Sequence, residues 1–328
     1  MKKYTLGILL LTFSLLFSQE KIRIGVWERF DAESLPADNI YVNTEEILND
    51  IDDDHNGYID DIHGIGFNED ERIISESFKA TVDNSSFYNH GTAVSNLIIE
   101  NCKNAELVGV GFEYTTYRLQ KSGLLQLSVE ERINQLPKEF ERMKYFIDQS
   151  MIYFKKTKVR IVNISFGLTL EGLIDKNPNL GNNEEERKAN ALIWINNFKK
   201  YLEQAFSKYP KIIFVVAAGN EGKDINDSYD IPALINLPNV IVVGGLNSTL
   251  TNKSYFSNYG NNIDIWAPSE NIKILLAQNL KGEESGVSLA APYITARIAS
   301  ILLKNKKINK KNIKKYIENV KNKNVQAS

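Results

Sequence analysis

The chain has 328 residues, 43% hydrophobic and 24% charged, the proportions of an ordinary globular protein with material for one large core or two modest ones. A formal net charge of −2 argues against general nucleic-acid binding, so no nucleic-acid partner is expected. The single cysteine, Cys102, excludes an internal disulfide framework and is most simply a small buried hydrophobe.

Residues 1–19 have the form of a signal peptide: Lys2 and Lys3, an apolar run from Leu6 to Phe17, then Ser18 before Gln19. That run is too short to span a bilayer, and no second apolar stretch is read as long enough. The mature chain, residues 20–328, is therefore expected to be an exported, soluble single domain, secreted or periplasmic, with little chain left before its first strand.

That strand is KIRIGVW, Lys21 to Trp27, of the kind buried on both faces, with Glu28, Arg29 and Phe30 at its carboxyl end. An acidic loop follows, DIDDDHNGYIDDIHG, in which Asp52, Asp54 and Asn56 alternate before Gly57, with Asp60 beyond. Alternating oxygen donors before a turn-forming glycine suit calcium. The twelfth loop position, where an EF-hand carries a bidentate glutamate, holds His63. The loop is thus either a structural calcium site of another kind, with Asp52, Asp54, Asn56 and Asp60 as ligands, or a solvated acidic turn.

Glu71 to Asn89 reads as polar and irregular, and NHGTAVSNLIIEN as a second apolar helix opening at His90 and Gly91. Glu106–Gly111 predicts a strand, and Val129–Lys156 helical material interrupted at Pro137. VRIVNISFG, Val159 to Gly167, is a buried strand closed by a glycine turn, where another backbone can approach closely. A surface loop from Leu168 to Asn183 then leads into a charged amphipathic helix, Glu184–Ser207. KIIFVVAAGNEG and NVIVVGGL are further buried strands, with a short strand near Ile263 to Trp266. The chain closes with an apolar helix through Ser288 and a lysine-bearing one from Asn309 to Val320. Strands alternating with helices imply one doubly wound α/β domain with a mainly parallel central sheet flanked by helices.

Three polar residues sit where such a sheet presents its ligands. Ser288 stands at the mouth of its helix, near free backbone N–H groups, and fits either a helix cap or a nucleophile. His90 lies at a helix start after a loop, whereas His55 and His63 belong to the acidic loop, so a histidine base would be His90. Asn220 ends a strand between glycines, as punctuation or as a donor.

NHGTAV, VNISFG, VVAAGNEG, YFSNYG and GVSLAAP, in that order, resemble the motifs of the subtilisin-like serine proteases (subtilases) from Ile22 to about Leu303. The acidic loop is similar to a calcium-associated insertion of some bacterial members. The resemblance implies a parallel sheet flanked by helices and an exported serine endopeptidase acting on peptide or protein substrates. Ser288 would be the nucleophile, forming an acyl-enzyme, His90 the general base and Asn220 the oxyanion donor. Ser165, Phe166 and Gly167 would match the strand that pairs with the substrate backbone and lines its main specificity pocket.

The chain departs from the pattern where the third triad member belongs. The family has an aspartate after its first strand; aligning KIRIGVW there puts Glu28 in its place, with Asp31 the weaker candidate. Glutamate's extra methylene means that its carboxylate must retract by about 1.5 Å to meet the histidine in the same way, and Arg29 beside it could compete for the charge. Val287 and Asn89 replace the family's threonine and glycine, and the stretch between Ser18 and Ile22 leaves no room for a pro-segment. The alternative is a catalytically impaired member that binds extended peptide or a protein partner.

Overall fold

Eight strands join in one sheet because most of their residues are apolar on both faces, as a sheet covered on each side requires. The computed structural model describes residues 20–67, 73–75, 78–81, 85–111, 126–305, 313, 316 and 317. The predicted signal peptide, and most of the helix predicted from Asn309 to Val320, lie outside the described residues. The strands are β1 (Ile22–Val26), β2 (Gly64–Phe67), β3 (Ile73–Ser75), β4 (Ala105–Gly111), β5 (Ile161–Ile164), β6 (Ile213–Ala217), β7 (Val240–Leu246) and β8 (Ile265–Pro268). Their order is β3-β2-β4-β1-β5-β6-β7-β8; β2, β4, β1 and β5 to β8 run parallel, and β3 is an antiparallel edge on β2. The expected mainly parallel α/β sheet is what the chain forms.

The order places β1 at the centre, with β4 on one side and β5 on the other, so chain direction across the sheet reverses there. At such a switch point the strand ends splay and leave a crevice, and β1 delivers Glu28 to it. The helices are α1 (Ser85–Asn101), α2 (Val129–Lys156), α3 (Leu170–Lys176), α4 (Glu184–Lys208), α5 (Ile225–Ser228) and α6 (Ala290–Lys304). Helix α6 packs on α1 and lies along β5 to β8, while α2 and α4 pack on each other. Fully buried Trp27 meets Phe154 of α2 and Phe206 of α4 edge-on, 6.3 and 6.4 Å between ring centroids. Gly25 on β1 is needed here, because a Cβ would stand 2.5 Å from the Phe154 ring.

Several elements differ from the sequence reading. Helix α2 runs unbroken through Pro137: Ser128 and Glu131 form a reciprocal capping box, and Leu136, Met143, Phe146 and Ile147 are buried, so the loss of one N–H is outweighed. The expected loop from Leu168 to Asn183 contains α3, capped by Thr169, and a tight turn at Pro178–Leu180. The polar stretch after Glu71 contributes β3 and the first turn of α1, whose helix starts at Ser85 rather than at His90. A hairpin of β9 (Ile272–Leu275) and β10 (Lys281–Glu284) precedes Ser288, and the helix expected to open at Ser288 begins at Ala290 after a 3₁₀ turn. Val287–Lys304 is, by length and composition, long and apolar enough to cross a membrane, contrary to the expectation that no second run is. It is mostly buried against the sheet and is the helix of the core.

Candidate active site

The site forms where the carboxyl ends of β1, β5 and β6 face the starts of α1 and α6. Gly91 brings the first of these together. A side chain there would collide with the Arg29 carbonyl oxygen and come within 3.3 Å of Glu28 Cβ, so only glycine lets α1 pass this close to the exit of β1. As a result His90, in the second turn of α1, has its Nδ1 2.6 Å from Glu28 Oε2. The Glu28 side chain is 12% exposed and that of His90 44%, so the pair is sheltered on the carboxylate side and open on the imidazole side. The Glu28 charge raises the His90 pKa, against burial, helped by their hydrogen bond and by Glu284. Glu28 Oε1 is buried with no partner, leaving its second oxygen uncompensated.

The competitors for that contact are engaged elsewhere. Arg29 Nη2 donates to the Phe67 carbonyl at 3.1 Å. The Asp31 carboxylate accepts from Ala80 N–H, Gln278 N–H and the Ser34 hydroxyl, tying its loop to the segment after β9.

Ser288 occupies the turn Val287–Leu289 immediately before α6. Among the described residues its Oγ makes no hydrogen bond to His90; such contacts tighten when a substrate is engaged. Asn220 Oδ1 accepts Val287 N–H at 2.8 Å, which holds the side chain beside the serine with its amide NH₂ unspent among the described residues. A Cβ on Gly286 would stand 3.3 Å from Ser288 Oγ and 3.9 Å from Asn220 Oδ1, so serine and asparagine border one small space.

Ser165, Phe166 and Gly167 continue β5 without belonging to a sheet ladder. The Ser165 hydroxyl does not face the opening: it donates to the Ser288 carbonyl at 2.7 Å. Behind it, Thr295 Oγ1 donates to Asn163 Oδ1 at 2.8 Å and Asn163 Nδ2 to Ser165 Oγ at 2.9 Å. This buried relay pins α6 and the Ser288 peptide to β5, and each link satisfies a polar group that would otherwise be costly to bury. Its sequence signal was a single asparagine within an apolar strand. Phe166 packs edge-on against Trp27, 5.7 Å between centroids, and Gly167 is exposed.

The acidic loop lies apart from this site. The carboxylates of Glu46, Asp52 and Asp54 offer ligand atoms within 4.8 Å of one another. Asp52 caps Asn56 N–H and Gly57 N–H, and Asn56 donates to Asp54 and Asp61. Asp60 is not in this group: its oxygens accept Asn49 N–H and Asp50 N–H, each at 3.0 Å. Glu46, whose oxygens accept Asp54 N–H and Asp60 N–H, joins the cluster instead. Asp61, 1% exposed, has one oxygen without a partner. A hard cation with oxygen ligands fits this donor set.

A histidine–carboxylate pair, a serine at a helix entrance and an adjoining asparagine, carried on a parallel α/β sheet, are the residue types that the serine-hydrolase class of site uses. The family assignment is independent of that geometry. The chain belongs to the subtilase family, whose profile (Peptidase_S8) matches residues 48–328. Over 107 residues it is 39% identical to subtilisin-like protease 2 of Arthroderma otae and 40% identical to that of Trichophyton verrucosum. Each match takes in 32% of this chain and 24% of the relative, so it spans about a quarter of those curated proteins. Among solved structures, a lanthipeptide protease shares the fold with a TM-score of 0.53 and 14% identity, over 90% of this chain and 78% of the other. The epidermin leader peptide processing serine protease of Staphylococcus aureus does so with a TM-score of 0.50 and 21% identity, over 92% and 69%.

Proposed function

We propose that this chain is an exported serine endopeptidase that cleaves peptide or protein substrates through an acyl-enzyme on Ser288. The observation that carries the proposal is the 2.6 Å contact between His90 Nδ1 and Glu28 Oε2. A carboxylate on Nδ1 leaves the proton there and frees Nε2 to take the Ser288 proton as the hydroxyl attacks the scissile carbonyl. The imidazolium so formed faces Glu28, which stabilises it, and it returns the proton to the leaving amine. The Asn220 amide and the Ser288 N–H would hold the oxygen charge of the tetrahedral intermediate. Fluorophosphonate labelling tests the reading: folded mature protein should form a covalent adduct at Ser288, and absence of any adduct would sink it.

The pH dependence has a defined sign. His90 must be neutral to act as a base, and Glu28 raises its pKa above the ordinary value of 6.5. Activity should therefore be full above the raised pKa and lost as pH falls through it, at higher pH than an unpaired histidine would give. Glu28→Gln should move the acid midpoint of kcat/KM downward. A midpoint that stays put would remove Glu28 from the pair.

For the acidic loop we propose a structural calcium ion held by Asp52, Asp54 and Glu46, with Asn56 and Asp61 beside them. Its chemistry there is to neutralise clustered carboxylates and hold the loop together. Calcium at a hundredfold excess over its Kd would add about 2.7 kcal/mol, so chelation should lower the Tm by several degrees and added calcium should restore it. An unchanged melting curve would leave the loop a solvated acidic turn.

A further inference from the structure

Asp230 is a buried carboxylate near the site that neither the sheet nor the proposed chemistry employs. It is 1% exposed, and its Oδ1 has no hydrogen-bond partner. Its position is held by backbone pairing of the next residue, since Ile231 and Leu168 exchange two hydrogen bonds of 2.9 and 3.0 Å. That pairing sets the carboxyl between the ends of β5 and β6. On one side, a Cβ at Gly167 would stand 2.5 Å from Asp230 Oδ1. On the other, a Cβ at Gly219 would collide with Asp230 Oδ2 and lie 2.7 Å from Glu221 Oε2. Gly219 directly precedes Asn220, so the two carboxyls lie next to the proposed oxyanion donor.

Among the described residues no cation is paired with Asp230, and Lys223 acts on Glu221 only through its charge. Burial, and after it the charge of Glu221, the one charged neighbour acting on it among the described residues, push the Asp230 carboxyl well above the usual carboxylate range. Asn258 Nδ2 donates to Glu221 Oε2 at 2.7 Å and reaches Asp230 Oδ2 only at 3.5 Å. Lys223, the nearest lysine in sequence, is paired with Glu171. A buried acid, Asp230, beside an exposed one, Glu221, with no cation paired to either carboxyl among the described residues, suits a cation brought by a ligand.

A peptide whose scissile carbonyl lies between Ser288 and Asn220 passes Gly219, the residue before Asn220, and so passes the gap between the two strand ends that holds Asp230. Glycines at 167 and 219 leave that gap without side-chain walls, and its floor is the two carboxyls. Resting on the endopeptidase reading above, we infer that Asp230 and Glu221 select a cationic side chain, lysine or arginine, at the residue immediately N-terminal to the cleaved bond. The ammonium or guanidinium takes the place of a proton on the Asp230 carboxyl, which leaves to solvent as the charged pair forms. Either cation can donate to both carboxyls, and a guanidinium does so in the better geometry.

The test is a peptide series that differs only at that residue: arginine, lysine, citrulline, leucine and phenylalanine. Arginine and lysine should exceed citrulline and leucine at least tenfold in kcat/KM. Glu221→Gln, at an exposed residue that should not disturb folding, is expected to cut that ratio at least tenfold, and Asp230→Asn to do the same where it folds. Hydrolysis with equal rates across the series, or a ratio untouched by Glu221→Gln, overturns the inference and leaves the endopeptidase reading standing. A second measurement does not need catalysis: Ser288→Ala should bind a peptide ending in arginine at least tenfold more tightly than its citrulline counterpart by calorimetry. Equal affinities overturn the inference even if no substrate is ever cleaved.

Discussion

Ser288→Ala should lower kcat for any peptide substrate by roughly four to six orders of magnitude while leaving the melting temperature within about a degree or two. Both halves of that expectation come from the same geometry. The Ser288 hydroxyl has no hydrogen bond among the described residues, so its removal leaves no buried group unpaired. What anchors the residue is its backbone: the carbonyl accepts from Ser165, and the preceding N–H is held by Asn220. The variant should therefore keep the relay from Thr295 through Asn163 intact and still bind peptide. Activity that survives the substitution would place the nucleophile elsewhere.

The second large effect is expected at Glu28. Glu28→Gln keeps the shape but removes the charge, and the amide can present a donor to Nδ1 and so hold the imidazole in the wrong tautomer. A loss of about 10³- to 10⁴-fold in kcat follows if this carboxylate plays the part that a triad acid plays. Glu28→Asp is the more informative change. The glutamate already meets His90 at 2.6 Å from the backbone position this loop adopts. Removing a methylene withdraws the carboxylate by about one C–C bond, 1.5 Å, which breaks the contact unless the loop follows. A misplacement of that size costs on the order of 10²-fold. The loop is not free to follow, since the neighbouring Asp31 N–H donates to Thr92 Oγ1 at 2.8 Å and its carboxylate is bound at three places. A gain in kcat on Glu28→Asp would mean that the glutamate is the strained partner, and equal rates for both variants and the parent would mean that it takes no part.

Much of this was legible in the amino-acid order. The buried strands announced themselves as short, β-branched apolar runs, and their alternation with helices specified a parallel sheet before any contact was known. Ser288 and Asn220 were legible because each borders an element and carries chemistry out of place in an ordinary turn; His90 was legible by its residue type, although its helix begins five residues earlier than the sequence suggests. The hairpin of β9 and β10 was not, since KGEE has no apolar alternation and forms a strand only because Ile272 and Ile274 opposite it are buried against α1. Pro137 misled in the other direction, because propensity weighs one missing N–H and cannot weigh the face that α2 buries.

The site shows the same division. The order of residues determined that a carboxylate would follow β1, that a serine and an asparagine would stand beside element ends, and that an acidic loop would cluster oxygen donors. Only the tertiary structure decided which of these meet. Glu28 rather than Asp31 reaches His90 because Gly91 lets one helix pass against one loop; Glu46 rather than Asp60 joins the acidic cluster because Asp60 is spent on two backbone N–H groups. Ser165 turns to the Ser288 carbonyl, and Asp230, in a turn with no signal of its own, arrives between two glycines far from it in the chain. The physical reason is common to all four. Hydrophobic periodicity and turn chemistry act over a few residues and can be read along a line, whereas the partner of a polar side chain is set by strand order and by where a missing Cβ allows two backbones to approach.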